Sequence, residues 1–147
     1  MQKKNPEQIQ DNLKVVLDTN ILVSALISSK GTSAQVLSMV LKDKLQAYYH
    51  QEIFDEYETV LLRPKFKSDI NAEQRQAILN HLKKRGLSCH ITPSVFHMQD
   101  ESDRVFYDVA KTAGAFLVTG NKKHYPDEPF IVTPRYFMDT VINSLFL

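Results

Sequence analysis

The run Val15-Val16-Leu17, broken at once by Asp18, restricts what this chain can fold into more than any other stretch. Successive strand residues point to opposite faces of a sheet, so three adjacent apolar residues, two of them β-branched, suit a strand covered on both sides by helices. In an open α/β sheet the carboxyl ends of the strands face the ligand crevice, and Asp18 stands where that end would be. A buried, unpaired carboxylate is costly and is retained where something cationic compensates it. The expectation is a metal ion at Asp18, with other acids of the chain converging on it.

The rest of the sequence alternates strand and helix signals, with no internal repeat or low-complexity tract. After a strand over 14–18, Val36, Leu37, Val40 and Leu41 recur at helical spacing within 32–44, behind Gly31 and a Thr32 or Ser33 cap. A strand is expected over 45–49 and a helix over 51–62 with Ile53, Tyr57, Val60 and Leu61 on one face, stopped by Pro64. Asn71 with Gln74 reads as a capping box opening a helix that runs to Gly86, ahead of a strand over 87–91. Ser102 is the expected cap of a helix with Val105, Phe106, Val109 and Ala110 facing inward, closed by Gly114. Strands over 115–119 and 130–132 follow, and Thr133-Pro134 opens a terminal helix. Such alternation predicts an α/β fold in three layers, α/β/α, with a central parallel sheet.

A chain of 147 residues is about one domain long, and 43% hydrophobic residues with a mean hydropathy of −0.29 are ordinary for a globular protein. A polar tail over 1–13 and one domain over 14–147 are expected. No apolar run nears the ~20 residues of a membrane span, and the tail lacks the apolar stretch of a signal peptide. The single cysteine, Cys89, precludes an internal disulfide and points to the cytoplasm. The net charge of +1 gives no global nucleic-acid signature, but seven Lys/Arg lie between Arg63 and Arg85 while four acids lie between Asp100 and Asp108. One region could attract phosphates and the other hold cations, although a solvated helix face and an acidic helix start explain each equally well alone.

Three acids occupy positions a strand-end crevice could gather: Asp18, Glu56 within a helix, and Asp103 in the first turn of another, where the helix dipole favours a carboxylate. Singly, Glu56 reads as a solvated helical acid and Asp103 as an N-terminal charge; only Asp18 resists an ordinary explanation. The five histidines show no paired spacing for zinc. Cys89 reads as packing, and Tyr48, Tyr49, Phe54, Tyr57 and Phe106 read as core or dimer contacts.

Taken together, these segments resemble the PIN domain, a metal-dependent ribonuclease fold, and within it the toxins of bacterial toxin-antitoxin pairs. The matching pieces are Val16-Leu17-Asp18-Thr19-Asn20 with Ser24 downstream, and Glu52-Ile53-Phe54-Asp55-Glu56-Tyr57 followed by Leu61-Leu62-Arg63-Pro64. Asp100-Glu101-Ser102-Asp103 leading to Ala110, Leu117-Val118-Thr119-Gly120-Asn121, and Ile131-Val132-Thr133-Pro134 complete them in order. The resemblance implies Asp18, Glu56 and Asp103 as catalytic, metal-binding acids, with Asp100 as the acid that accompanies the third. It implies Asn20, Ser24, Thr119 and Asn121 as supporting groups behind the ligands, with a turn-forming role slightly ahead for Thr19. Where many PIN domains carry a fourth acid this chain has Asn121, which contributes no charge to a second metal site; Asp127 is the nearby acid that could substitute.

The implied function is hydrolysis of RNA phosphodiesters by a Mg²⁺- or Mn²⁺-dependent ribonuclease, with a cognate antitoxin and a homodimer as partners. Hard divalent cations take oxygen ligands, retain several waters and commonly use one or two carboxylates directly, while polarising an attacking water. Arg63, Lys65, Lys122 and Lys123 are candidates for RNA phosphates, with solvated surface charge an equal alternative for each. Two other readings stand beside this one. One is a PIN-fold binding domain with weak or no catalysis, which Asn121 makes credible; the other is an Asp18-nucleophile phosphohydrolase, whose pattern wants an acid at position 20, where Asn20 stands.

Overall fold

The structure, a computed structural model, describes residues 12–145. Residues 1–11 of the expected tail lie outside that range, and Leu13 already belongs to the first strand. The elements are β1 (Leu13–Leu17), α1 (Thr19–Ile27), α2 (Thr32–Leu41), β2 (Leu45–Tyr49), α3 (Gln51–Leu61), α4 (Ala72–Arg85) and β3 (Leu87–Ser88). Then come α5 (Arg104–Ala113), β4 (Phe116–Val118), β5 (Ile131–Val132) and α6 (Pro134–Tyr136), which runs on as a π-helical stretch, Phe137–Ile142.

All strand pairs are parallel, in the order β3-β2-β1-β4-β5. Val15, Val16 and Leu17 are each at most 1% exposed. Because they alternate between faces, both faces of the sheet are covered, and the fold is a three-layer α/β/α arrangement around a central parallel sheet. Phe106 and Phe137 are the largest fully buried side chains of the core. Phe54 and Tyr57 are also buried, and Tyr57 packs near the Phe106 ring at 6.4 Å between centroids. No helix is long and apolar enough to cross a membrane among the described residues.

The chain departs from the sequence reading in several elements. The sequence reading names no helix directly after the first strand, but Asp18 takes the N-cap position of α1, which buries Ile21, Leu22 and Ala25. β3 stops at Ser88 instead of 91, because Leu87 and Ser88 pair with Tyr48 and Tyr49, the last residues of β2. Beyond them Cys89 makes one further bond to the Tyr49 carbonyl at 2.8 Å. The cap ahead of α5 is Asp100, whose Oδ1 accepts from the Ser102 amide at 3.0 Å, so Ser102 is capped and does not cap. By contrast Asn71 accepts from the Gln74 amide and Thr133 from the Tyr136 amide, in the expected roles.

Two features bring the site together. β1 is central, flanked by β2 on one side and β4 on the other, so the order of strands reverses there and the crevice opens at the carboxyl ends of β1 and β4. The segment before α5 is tied down by Arg104, which donates to the Ser94 carbonyl at 2.9 Å and the Phe96 carbonyl at 2.6 Å. Buried Asp108 accepts from the Ser94 amide at 3.1 Å. These bonds fix the approach to Asp100 and Asp103.

Candidate active site

Asp18 follows the last residue of β1, its amide donating to the Val118 carbonyl of β4 at 3.0 Å, which locks its backbone to the neighbouring strand end. Its side chain is 6% exposed and does not cap α1. Instead Oδ2 accepts from the hydroxyls of Thr119 at 2.7 Å and Tyr125 at 2.9 Å. Burial raises the Asp18 pKa above the ordinary carboxylate value; the two hydroxyl bonds oppose that rise without cancelling it.

Glu56 projects from the middle of α3 and is half-buried. Its Oε2 accepts from the Thr19 hydroxyl, so the residue after Asp18 ties α3 to the strand end. The Tyr57 hydroxyl donates to the Leu17 carbonyl, fixing the same helix against β1 from the buried side. Burial raises the Glu56 pKa first; the negative charges of Asp18 and Asp100 raise it further, against the opposing charge of Arg63.

Asp103 sits in the turn that leads into α5. Its carboxyl is pushed up to about 6, first by burial, then by the charges of Asp18 and Asp100, and to a smaller extent by Glu56. Its Oδ2 is buried with no hydrogen-bond partner among the described residues. The His124 ring lies beside it, with Nδ1 3.7 Å from Oδ2. Asp100 is exposed, and its acidity is increased by the two bonds from Ser102. The structure therefore brings Asp18, Glu56, Asp103 and Asp100 within each other's electrostatic reach.

The groups around these acids divide by role. Thr119 is fully buried; besides bonding Asp18, its Oγ1 accepts from the Asn121 amide at 3.0 Å. Asn20 Oδ1 accepts from the Gly120 amide at 3.0 Å, joining the ends of β1 and β4. A Cβ at Gly120 would lie 3.3 Å from that Oδ1, so the close approach favours glycine. Ser24 is exposed on α1 and takes no part in these bonds. Asn121 is exposed, as is Asp127. Lys122 and Lys123 lie exposed in a short 3₁₀ turn beyond Asn121; Arg63 and Lys65 lie exposed after α3. Of these four, Arg63 is the one whose charge acts on Glu56.

Tyr125 and His124 escaped the sequence reading. The turn at 122–124 carries both back over the crevice, and the nearest sequence signal was an aromatic residue a few positions past a strand end. A cavity of about 610 Å³, lined by Lys14, Asp43, Gln46, His81 and Arg85 among others, borders the start of β1 and β2 and includes none of these acids.

Among the described residues, no three His, Cys, Asp or Glu side chains form a ready-made metal cluster. The donor set nonetheless suits a hard cation. Several carboxylates repel one another in a partly dry bowl, and one buried carboxylate oxygen has no hydrogen-bond partner among the described residues. A cation that retains most of its waters asks for only one or two of them directly.

Comparison with known proteins gives three results. A family model described as PIN domain matches residues 14–123. An uncharacterised protein of Methanocaldococcus jannaschii is 34% identical over 113 residues, covering 75% of this chain and 72% of that protein. Among solved structures, a chain from the crystal structure of VapBC2 from Rickettsia felis, bound to a DNA fragment from their promoter, superposes with a TM-score of 0.51. It covers 82% of this chain and 97% of that one at 17% identity, a likeness of fold.

Proposed function

This chain belongs to the PIN domain family, and from that premise we propose that it is a divalent-cation-dependent ribonuclease whose centre is Asp18, Glu56 and Asp103. The observation that carries the reading is the buried oxygen of Asp103 that takes no hydrogen bond among the described residues, set among acids that raise one another's pKa. A folded protein keeps such an arrangement where a cation relieves it. Asp18 is the central ligand, Asp103 a direct or water-bridged ligand, and Asp100 adds negative charge from the rim. Glu56, steadied by Thr19, orients the attacking water or completes the ligand set. When bound, Mg²⁺ or Mn²⁺ supplies charge neutralisation at the scissile phosphate and a more acidic water. Arg63, Lys65, Lys122 and Lys123 would meet flanking phosphates on the rim.

The test is cleavage of a panel of single-stranded and hairpin RNAs with Mg²⁺ or Mn²⁺, alongside calorimetric Mn²⁺ titration. Cleavage that falls at least about a hundredfold in Asp18→Asn is the expected result. Failure of the unaltered protein to cut any RNA in the panel would sink the ribonuclease reading. The exposed amide of Asn121 favours a single cation, and it also supports the second reading, a binding domain. Mn²⁺ binding without cleavage separates the two. The VapBC2 chain shares this fold within an assembly on promoter DNA, and we extend to this protein a toxin role, a cognate antitoxin and a homodimer.

A further inference from the structure

Building on the cation site just described, we propose that Tyr125 is a positioning residue: with Thr119 it occupies one oxygen of Asp18, so that the carboxylate meets the cation through its other oxygen alone. Two hydroxyls converge on Oδ2, Thr119 at 2.7 Å and Tyr125 at 2.9 Å. A carboxylate oxygen has two favourable acceptor directions, and these donors fill both. Neither hydroxyl bonds Oδ1, which is left for the cation. Neither donor is free to turn away. The Thr119 backbone amide is bonded to the Val132 carbonyl at 2.9 Å and its Oγ1 already accepts from the Asn121 amide, so its hydroxyl proton is directed at Asp18. Tyr125 is buried among the residues of the core, which holds its phenol in place against Oδ2.

A carboxylate held in this way cannot chelate through both oxygens. Chelation of that kind suits Ca²⁺, which accepts more ligands at longer and less regular distances, whereas Mg²⁺ demands a near-octahedral shell of single oxygens. The phenol thereby biases the centre toward the smaller ion.

The test is calorimetric titration of the full chain with Mn²⁺, Mg²⁺ and Ca²⁺, comparing the unaltered protein, Tyr125→Phe, and Tyr136→Phe as a control at an exposed tyrosine. Thermal melting of each variant is followed in parallel. Tyr125→Phe is expected to bind Mn²⁺ about ten- to a hundredfold more weakly and to narrow the preference for Mg²⁺ over Ca²⁺; Tyr136→Phe is expected to match the unaltered protein. If Tyr125→Phe keeps both the Mn²⁺ affinity and the Mg²⁺/Ca²⁺ ratio, the positioning role is overturned while the cation site stands. If the unaltered protein binds no Mn²⁺, the cation reading itself falls and takes this role with it. Should Tyr125→Phe fail to fold, the unaltered protein still decides. A cation at Oδ1 draws charge from Oδ2 and weakens the bond from the phenol, so Mg²⁺ must perturb the tyrosine absorption band. A flat difference spectrum in a protein that binds Mg²⁺ overturns the proposal.

Discussion

Asp103 is the residue in which folding and chemistry are most directly opposed. Its carboxyl stands at about 6 in the folded chain against 3.8 unperturbed, raised by burial first and by Asp18 and Asp100 next. A carboxyl with a folded pKa above its unfolded one contributes stability that is fully present below the unfolded value and lost as the pH rises through the folded value. The metal-free protein is thus expected to gain stability as the pH falls from about 6 toward 3.8, and Asp18 and Glu56 shift in the same direction. Urea unfolding in chelator at pH 7 should find Asp103→Asn more stable by about 1 kcal/mol, the shift being discounted for screening by solvent. The same variant is expected to lose Mn²⁺ binding; a metal-free variant no more stable than the parent would show that the crowding of acids is relieved by other means. Of the three acids only Asp18 carried a signal in its own surroundings, the strand end; Glu56 and Asp103 have ordinary local explanations and were singled out by the resemblance of the segments that hold them. Tyr125 was not, since its bond to Asp18 spans 107 residues and only tertiary folding makes it.

At the level of elements, the helices and strands that the sequence announced were those whose apolar residues recur at helical or strand spacing, two of the helices also carrying caps of their own. Asn71 and Thr133 mark their helices by side-chain bonds to backbone amides within three residues. α1 was hidden because Asp18 ends a strand and begins a helix at the same residue, leaving no separating loop between two apolar runs. β3 was overestimated because its length is set by β2, where no pattern within 87–91 can register it. Gly114 closes α5 at φ 67°, in the left-handed region, with nothing within 4 Å of where a β-carbon would stand. Gly114→Ala therefore meets no clash but does meet backbone strain, and it is expected to lower stability by about 1 kcal/mol in urea unfolding. Because α5 begins beside Asp103 and Gly114 lies at its far end, Mn²⁺ affinity in the folded variant should be unchanged.

On the scale of the whole molecule, the strand order β3-β2-β1-β4-β5 puts the earliest strand in the middle of the sheet, with its last neighbours supplied by the end of the chain. Val15, Val16 and Leu17 pair with Phe116, Leu117 and Val118, and Leu117 pairs in turn with Ile131. A chain ending at Gly114 would leave one side of β1 without its ladder and remove Phe137 from the core. Such a truncated chain is expected to lack the cooperative unfolding of the full protein when followed by circular dichroism; a folded truncation would show that β1 to β3 and α1 to α5 suffice. Synthesis from the amino terminus gives this wiring a meaning in time. The acid at position 18 emerges from the ribosome 101 and 107 residues ahead of the two hydroxyls that fix it. The crevice around that acid is therefore finished only when the closing strands have been made.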